Sequence, residues 1–200
     1  MSPSVHIVPA TPERWPDLRR LFGANGACGG CWCMWWKLPR RDFVRGKGAG
    51  NERELRAIVR SGAAPGLLAY EGNRPVGWCA IEPREAYPRF ESSRVLAPVD
   101  AAPVWSVTCF FVARDFRGQG VTSMLLEAAV RHARRHGARI VEGYPVAPEK
   151  RQAAAFVYTG LVSTFRKAGF TEVARRSPSR PIMRRALRRS NPQPRPARGA

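Results

Sequence analysis

The stretch Val104–Thr122, V-W-S-V-T-C-F-F-V-A-R-D-F-R-G-Q-G-V-T, decides how this chain is read, because an apolar run passes through a glycine turn directly into a helix. The helix follows from its pattern: Val121, Leu125, Leu126, Ala129 and Ala133 fall on one side, Ser123, Glu127, Arg131 and Arg134 on the other, with a stop near Gly137. Such a helix packs on a sheet. Its N-terminus leaves backbone N–H groups unpaired and carries a partial positive charge. Gly118 and Gly120 remove the Cβ atoms that would keep a pyrophosphate from those donors, and Arg117 adds a full charge. The junction reads as a phosphate cradle, and a nucleotide-containing ligand is expected.

The elements around it alternate. Val5–Val8 is a short strand, and Thr11-Pro12-Glu13 reads as a cap with Pro at the first helical position, opening a helix that turns Trp15, Leu18, Leu21 and Phe22 inward. Asn51 and Glu54 resemble a capping box for a second helix bearing Leu55, Ile58 and Val59 and closed by Gly62. Gly66–Glu71 and Pro75–Glu82 form a hairpin through Gly72-Asn73-Arg74. After the glycine turn and its helix come a strand over Arg139–Val146, a helix over Ala154–Ala168, and two strands over Thr171–Ala174 and Pro181–Leu187. The order is β-α-α-β-β-β-α-β-α-β-β, an α/β chain.

Two common nucleotide motifs fail on spacing. No third glycine follows Gly120 at the offset a dinucleotide fold needs, and the Gly-Lys-Ser/Thr triplet of a P-loop is absent. Arg117-Gly118-Gln119-Gly120-Val121-Thr122 instead resembles the acyl-CoA-binding motif of the GNAT superfamily of N-acetyltransferases, in which Gln/Arg-x-x-Gly-x-Gly/Ala opens the helix that holds the CoA pyrophosphate. Thr122 stands where Gly or Ala is usual, and its hydroxyl can donate to a phosphate. The element order is also that of the superfamily, so the resemblance covers nearly the whole chain up to about Leu187. It implies a single domain over residues 1–189, with a central mixed, mostly antiparallel twisted sheet flanked by helices. The implied reaction moves an acetyl or short acyl group from acetyl-CoA to an amine by direct attack.

Composition is consistent with one domain. Two hundred residues bury one sizeable core, and no window approaches the roughly 18 consecutive apolar residues of a membrane span. The N-terminus, interrupted by Pro3, His6, Pro9 and Glu13, does not read as a signal peptide, and five cysteines are an odd number for a disulfide framework. A cytoplasmic protein is expected. The net charge is +19, and nine arginines with no acidic residue lie between Arg175 and Ala200. Residues 190–200 read as a disordered basic tail rich in Pro and Arg, without the aromatics that single-strand stacking uses. Nucleic-acid or ribosome association on the same fold stays the alternative class, but nucleic acid is not the expected partner. No membrane contact is expected. The expected partners are a small-molecule or protein amine acceptor and, as an open alternative, a second copy in a homodimer.

The resemblance also implies roles for particular residues. The strand before the turn offers backbone groups of Phe110, Phe111 and Val112 to the pantetheine arm, and the turn offers Arg117, Gly118, Gln119, Gly120, Val121 and Thr122 to the pyrophosphate. A backbone N–H of that strand can stabilise developing oxyanion charge. Many members carry an acidic Tyr four residues before the Gly of the late Gly-Phe pair; here that position is Phe165. Tyr158 and Tyr144 are the candidate substitutes. Glu142, which shares a strand face with Ile140 and Tyr144, is the candidate base or acceptor anchor. Each of the three also has a purely structural reading, as a half-buried aromatic or a paired carboxylate.

Cys28-Gly-Gly-Cys31-Trp-Cys33-Met-Trp-Trp36 is the second unusual feature. Cys-x-x-Cys spacing suits zinc or thiol redox chemistry, yet no second Cys/His pair stands at suitable spacing; no metal is expected, and buried small hydrophobes are the plainer reading. A thiol or zinc protein remains an alternative. The resemblance places this loop in one wall of the acceptor pocket, where Trp32, Trp35 and Trp36 would suit an apolar or aromatic amine.

Overall fold

A computed structural model describes residues 4–148, 153 and 156–187. The strands are β1 (Val5–Pro9), β2 (Gly66–Glu71), β3 (Arg74–Pro83), β4 (Trp105–Val112), β5 (Ile140–Gly143), β6 (Thr171–Arg175) and β7 (Pro181–Ala186). The helices are α1 (Trp15–Phe22), α2 (Arg40–Arg45), α3 (Ala49–Arg60), α4 (Val121–Arg135) and α5 (Val162–Lys167). Among the described residues the strands form one mixed sheet in the order β1-β2-β3-β4-β5-β7-β6. Only β4 and β5 run parallel; they pair from Trp105↔Val141 to Val107↔Gly143 and then part.

Alternation of side chains distributes the core over both faces. Leu67, Cys79, Ile81, Phe110 and Val112 pack beneath α4 and α5 against Leu125, Leu126, Ala129 and Phe165. Leu68, Tyr70, Trp78, Ala80 and Cys109 face α1 and α3 through Leu18, Phe22, Leu55 and Val59. A third cluster, Tyr87, Phe90, Leu96, Tyr144 and Ile182, lies where the segment between β3 and β4 crosses the sheet.

Several boundaries differ from the sequence reading. A 3₁₀ turn over Pro12–Arg14 precedes α1, and Thr11 makes no capping bond; its hydroxyl instead accepts from Arg14. Asn51 does not cap a helix. It is fully buried inside α3, where its Nδ2 donates to the carbonyls of Gly30 and Phe43, so the helix begins at Ala49 after Gly48. The short helix α2 was not foreseen. β5 ends at Gly143, leaving Tyr144 beyond the strand, and α5 begins only at Val162. Of the helix expected over Ala154–Ala168, Ala154 and Ala155 lie outside the described residues, and Tyr158 sits in a turn that Gly160 closes at φ +89°. That backbone angle ends helical geometry for the residues before it. The expected domain end at 189 and the tail over 190–200 also lie outside the described residues.

Candidate active site

The parting of β4 from β5 opens the sheet beside the glycine turn, and a cavity of about 690 Å³ occupies this place, within the size range of ligand pockets. Phe110, Phe111, Val112, Arg117 and Thr122 line one end, with Gly160, Leu161 and Thr164 opposite. Trp35, Trp36, Phe43 and Tyr158, with Cys28, Cys31, Cys33 and Cys109, line the other.

The first end is built for an anion. Gly118 and Gly120 both adopt left-handed angles, φ +77° and +82°, and an added Cβ at either would point into open space. The first turn of α4 has no acidic residue and no side-chain cap, so its N–H groups lack side-chain acceptors. Arg117 is fixed beside it by donating from Nε to the carbonyl of Val112 at 3.0 Å, and Gln119 donates to the carbonyl of Asp115 at 2.6 Å. Gly118, Gln119, Gly120 and Val121 form the turn and helix start rather than the cavity wall, and Val121 is buried against the sheet. These residues fit a CoA pyrophosphate: an uncapped helix start, two glycines without steric cover and a flanking guanidinium.

The join between the two ends is a backbone contact that the sequence did not announce. The Phe110 N–H, one of the groups implied for the donor, donates to the carbonyl of Tyr158 at 2.6 Å. The Tyr158 side chain turns toward the thiols, and burial raises its phenol to about 12 against the opposing pull of Arg180. It is therefore a protonated hydroxyl at neutral pH.

Glu142 and Tyr144 are not brought to this cavity. Glu142 is fully buried; Oε1 accepts from Arg84 at 2.9 Å and from Tyr144 at 2.7 Å, and Oε2 accepts from Arg184 at 2.7 Å. The Tyr144 hydroxyl also meets Arg84 at 2.7 Å and Ser106 at 2.8 Å. A fully buried carboxylate with both oxygens paired to guanidinium groups, away from the cavity, is out of reach of an acceptor, so both residues act as a strut beneath the segment between β3 and β4. Glu142→Gln is expected to cost about 3–5 kcal/mol by leaving the largely buried Arg84 guanidinium without a carboxylate, while Arg184 keeps Asp100. Melting curves should fall accordingly, with turnover per folded molecule unchanged.

Trp32 is also displaced from its expected role. It takes a left-handed φ of +44°, is 2% exposed and packs between Trp15 and Phe22, so it fills core. Trp35 and Trp36 do wall the cavity, Trp35 against Phe43 and Trp36 stacked on Phe90. The cysteines are free. The Cys33 thiol donates to Cys109 Sγ at 3.3 Å, and this bond, with burial, pushes Cys33 well above the usual thiol range. Cys31 is pushed up too, by its bond to Cys33 and then by burial. Cys31 and Cys33 are thus held as protonated thiols. Among the described residues no three His, Cys, Asp or Glu side chains are grouped to hold a metal ion. Sequence reasoning also missed Arg89, whose guanidinium lies 3.5 Å from the centroid of Trp35, and the buried pair of Lys37 with Glu82. Both depend on contacts distant along the chain, which no local pattern signals.

Comparison with known proteins agrees with this geometry. The sequence profile described as "Acetyltransferase (GNAT) family" matches residues 32–160. No curated protein sequence matches the chain. Among solved structures, a mosquito arylalkylamine N-acetyltransferase like 5b superposes with TM-score 0.58 at 13% identity, covering 92% of this chain and 100% of that one. A ribosomal-protein-alanine N-acetyltransferase from Brucella melitensis gives 0.52 at 19% identity, covering 91% and 99%. The PaiA N-acetyltransferase of Thermoplasma acidophilum, in complex with coenzyme A, gives 0.53 at 13% identity, covering 92% and 99%. At these identities the likeness is one of fold. No helix among the described residues is long and apolar enough to cross a membrane.

Proposed function

Since the chain belongs to the GNAT acetyltransferase family, we propose that it is an N-acetyltransferase that takes the acetyl group of acetyl-CoA to an amine held between Trp35, Trp36 and Tyr158. The observation that carries this reading is the single cavity wall running from the uncapped start of α4, past the Phe110 amide, to the aromatic end. Bound there, acetyl-CoA supplies an activated acyl carbon and a thiolate leaving group.

The chain's own residues do the rest. The N–H groups at the start of α4 and the Arg117 guanidinium hold the pyrophosphate. The Phe110 N–H, once released from the Tyr158 carbonyl, is the donor for carbonyl charge. Tyr158 keeps its proton at neutral pH and supplies it to the departing sulfur, and the proton that the amine nitrogen loses after attack returns through water to the phenolate. Trp35, Trp36 and Phe43 exclude water and position the amine, so proximity supplies much of the rate. The direct test is calorimetry with acetyl-CoA followed by a screen of amines for release of free CoA. Saturable binding and amine-dependent release are expected. A folded protein that binds no acetyl-CoA, or releases CoA without regard to any amine, would overturn the reading.

A further inference from the structure

Two of the five cysteines are brought sulfur to sulfur, and they are not the pair that the Cys28–Cys31 spacing singles out. Cys33 Sγ lies 3.3 Å from Cys109 Sγ, across 76 residues of sequence. A local distortion on each side makes that contact. Trp32 and Cys33 hold consecutive left-handed angles, φ +44° and +54°, which cost a non-glycine residue free energy and persist only where the surroundings fix them; Trp32 is held between Trp15 and Phe22. In β4, Ala80 pairs with Cys109 and Ile81 with Val107, so Thr108 is an extra residue and the strand bulges. The bulge turns Cys109 to the face opposite Val107: Val107 packs beneath α4, whereas Cys109 faces α1 and α3, where Cys33 meets it. The remaining thiols lie otherwise. Cys28 is exposed, and Cys79 is on the α4 face beside the Ala80 carbonyl at 3.8 Å. Cys31 borders Cys33 but donates to the Gly26 carbonyl at 3.7 Å, and a link between residues two apart would strain the disulfide.

Cys33 and Cys109 both line the cavity, which gives a water-sized oxidant access to them. Closing their 3.3 Å contact to the roughly 2.05 Å of an S–S bond needs only about 1 Å of movement. Cys33 supplies it from a turn outside helix and strand. We propose that Cys33 and Cys109 form a reversible oxidation site, closed to a disulfide by hydrogen peroxide. Cys109, which accepts the hydrogen bond, sheds its proton and attacks one peroxide oxygen; the O–O bond breaks, the hydroxide that leaves takes the shed proton as water, and Cys109 is left as a sulfenic acid. Cys33 then attacks that sulfur, the S–O bond breaks as the S–S bond forms, and the second hydroxide leaves with the Cys33 proton as water. The two sulfurs give up two electrons and the peroxide receives them. The bond ties the turn that leads to Trp35 and Trp36 to the strand residue before Phe110.

The full chain, reduced and freed of reductant, is treated with increasing hydrogen peroxide, its remaining thiols are alkylated, and it is denatured and digested with chymotrypsin. Cleavage after Trp32 separates Cys33 from Cys28 and Cys31, so each possible link is read by mass. The Cys33–Cys109 link should form first, with loss of two of the five thiols, and dithiothreitol should reverse it. Because the link closes a loop of 76 residues, the melting temperature of the oxidised protein should rise by about 5 °C or more. Cys28→Ser should change none of this. Cys33→Ser should leave Cys109 as a sulfenic acid that dimedone traps; if that protein does not fold, the peptide map of the parent decides alone. A first link between Cys28 and Cys31 or between Cys31 and Cys33, oxidation to sulfinic acid without a link, or a melting temperature that falls on oxidation would each overturn the proposal. None of these readouts uses a substrate, so failure of acyl transfer leaves the oxidation site standing, and the reverse holds equally.

Discussion

Gly120→Asp is expected to abolish measurable acyl-CoA binding, a loss of about a hundredfold or more, because it sets a carboxylate where the pyrophosphate meets the start of α4. Gly120 sits at φ +82° with nothing within 4 Å of an added Cβ, so the aspartate meets no steric obstacle and the effect is one of charge and backbone angle. Gly120→Asn separates the two, since asparagine has nearly the same shape, tolerates the left-handed region and carries no charge. It should keep most of the affinity. Calorimetry on both proteins, with melting curves to show that each is folded, gives the comparison. Equal affinities for the aspartate and asparagine proteins would remove the phosphate from this turn.

Tyr158→Phe is expected to lower kcat by roughly 10²–10⁴ while leaving donor affinity nearly unchanged. The substitution removes only the hydroxyl, and the carbonyl that meets the Phe110 N–H is retained. A second signature lies in the pH profile. A general acid works while protonated, and burial lifts this phenol from the usual tyrosine range to about 12, so its proton stays in place as pH rises through 10. In the parent protein kcat should therefore show no alkaline fall near pH 10. Full turnover in Tyr158→Phe would make the residue a cavity wall and pass the proton to water; a fall centred near pH 10 in the parent that Tyr158→Phe lacks would keep the acid role and remove the upward shift.

Much of the fold was legible because its signals are local. The pattern from Val121 to Gly137 yields α4 ending at Arg135, and the Gly72-Asn73-Arg74 signal yields the β2–β3 hairpin with Glu71 opposite Arg74. Local signals also misled. Asn51 followed by Glu54 has the composition of a cap, but the asparagine is spent inward on two loop carbonyls. The sequence around Tyr158 has helical composition, yet the chain there turns, Gly160 closes the turn at φ +89°, and Leu161 runs extended to bridge Val146. The glycine turn and the strand before it were readable for the same reason as α4: they form one contiguous stretch. The far end of the cavity was readable in part: Trp35, Trp36 and Tyr158 line it as expected, whereas the surroundings of Glu142 were not legible. Glu142 finds Arg84 and Arg184 at separations of 58 and 42 residues, and those partners, invisible to periodicity, turn a candidate base into a strut.

One residue stands in both halves of the cavity. The Tyr158 backbone occupies the Phe110 amide on the donor side, while its ring and hydroxyl face the acceptor side. A donor that takes the Phe110 amide must displace that carbonyl, and in doing so it moves the side chain that shapes the place where the amine sits. On the proposed acyl-transfer reading the two substrates are thus thermodynamically linked: whatever factor the donor applies to amine affinity, the amine must apply to donor affinity. Measured as binding constants for each substrate in the presence and absence of the other, the two factors must be equal, and the size of that shared factor reports what it costs to part Tyr158 from Phe110.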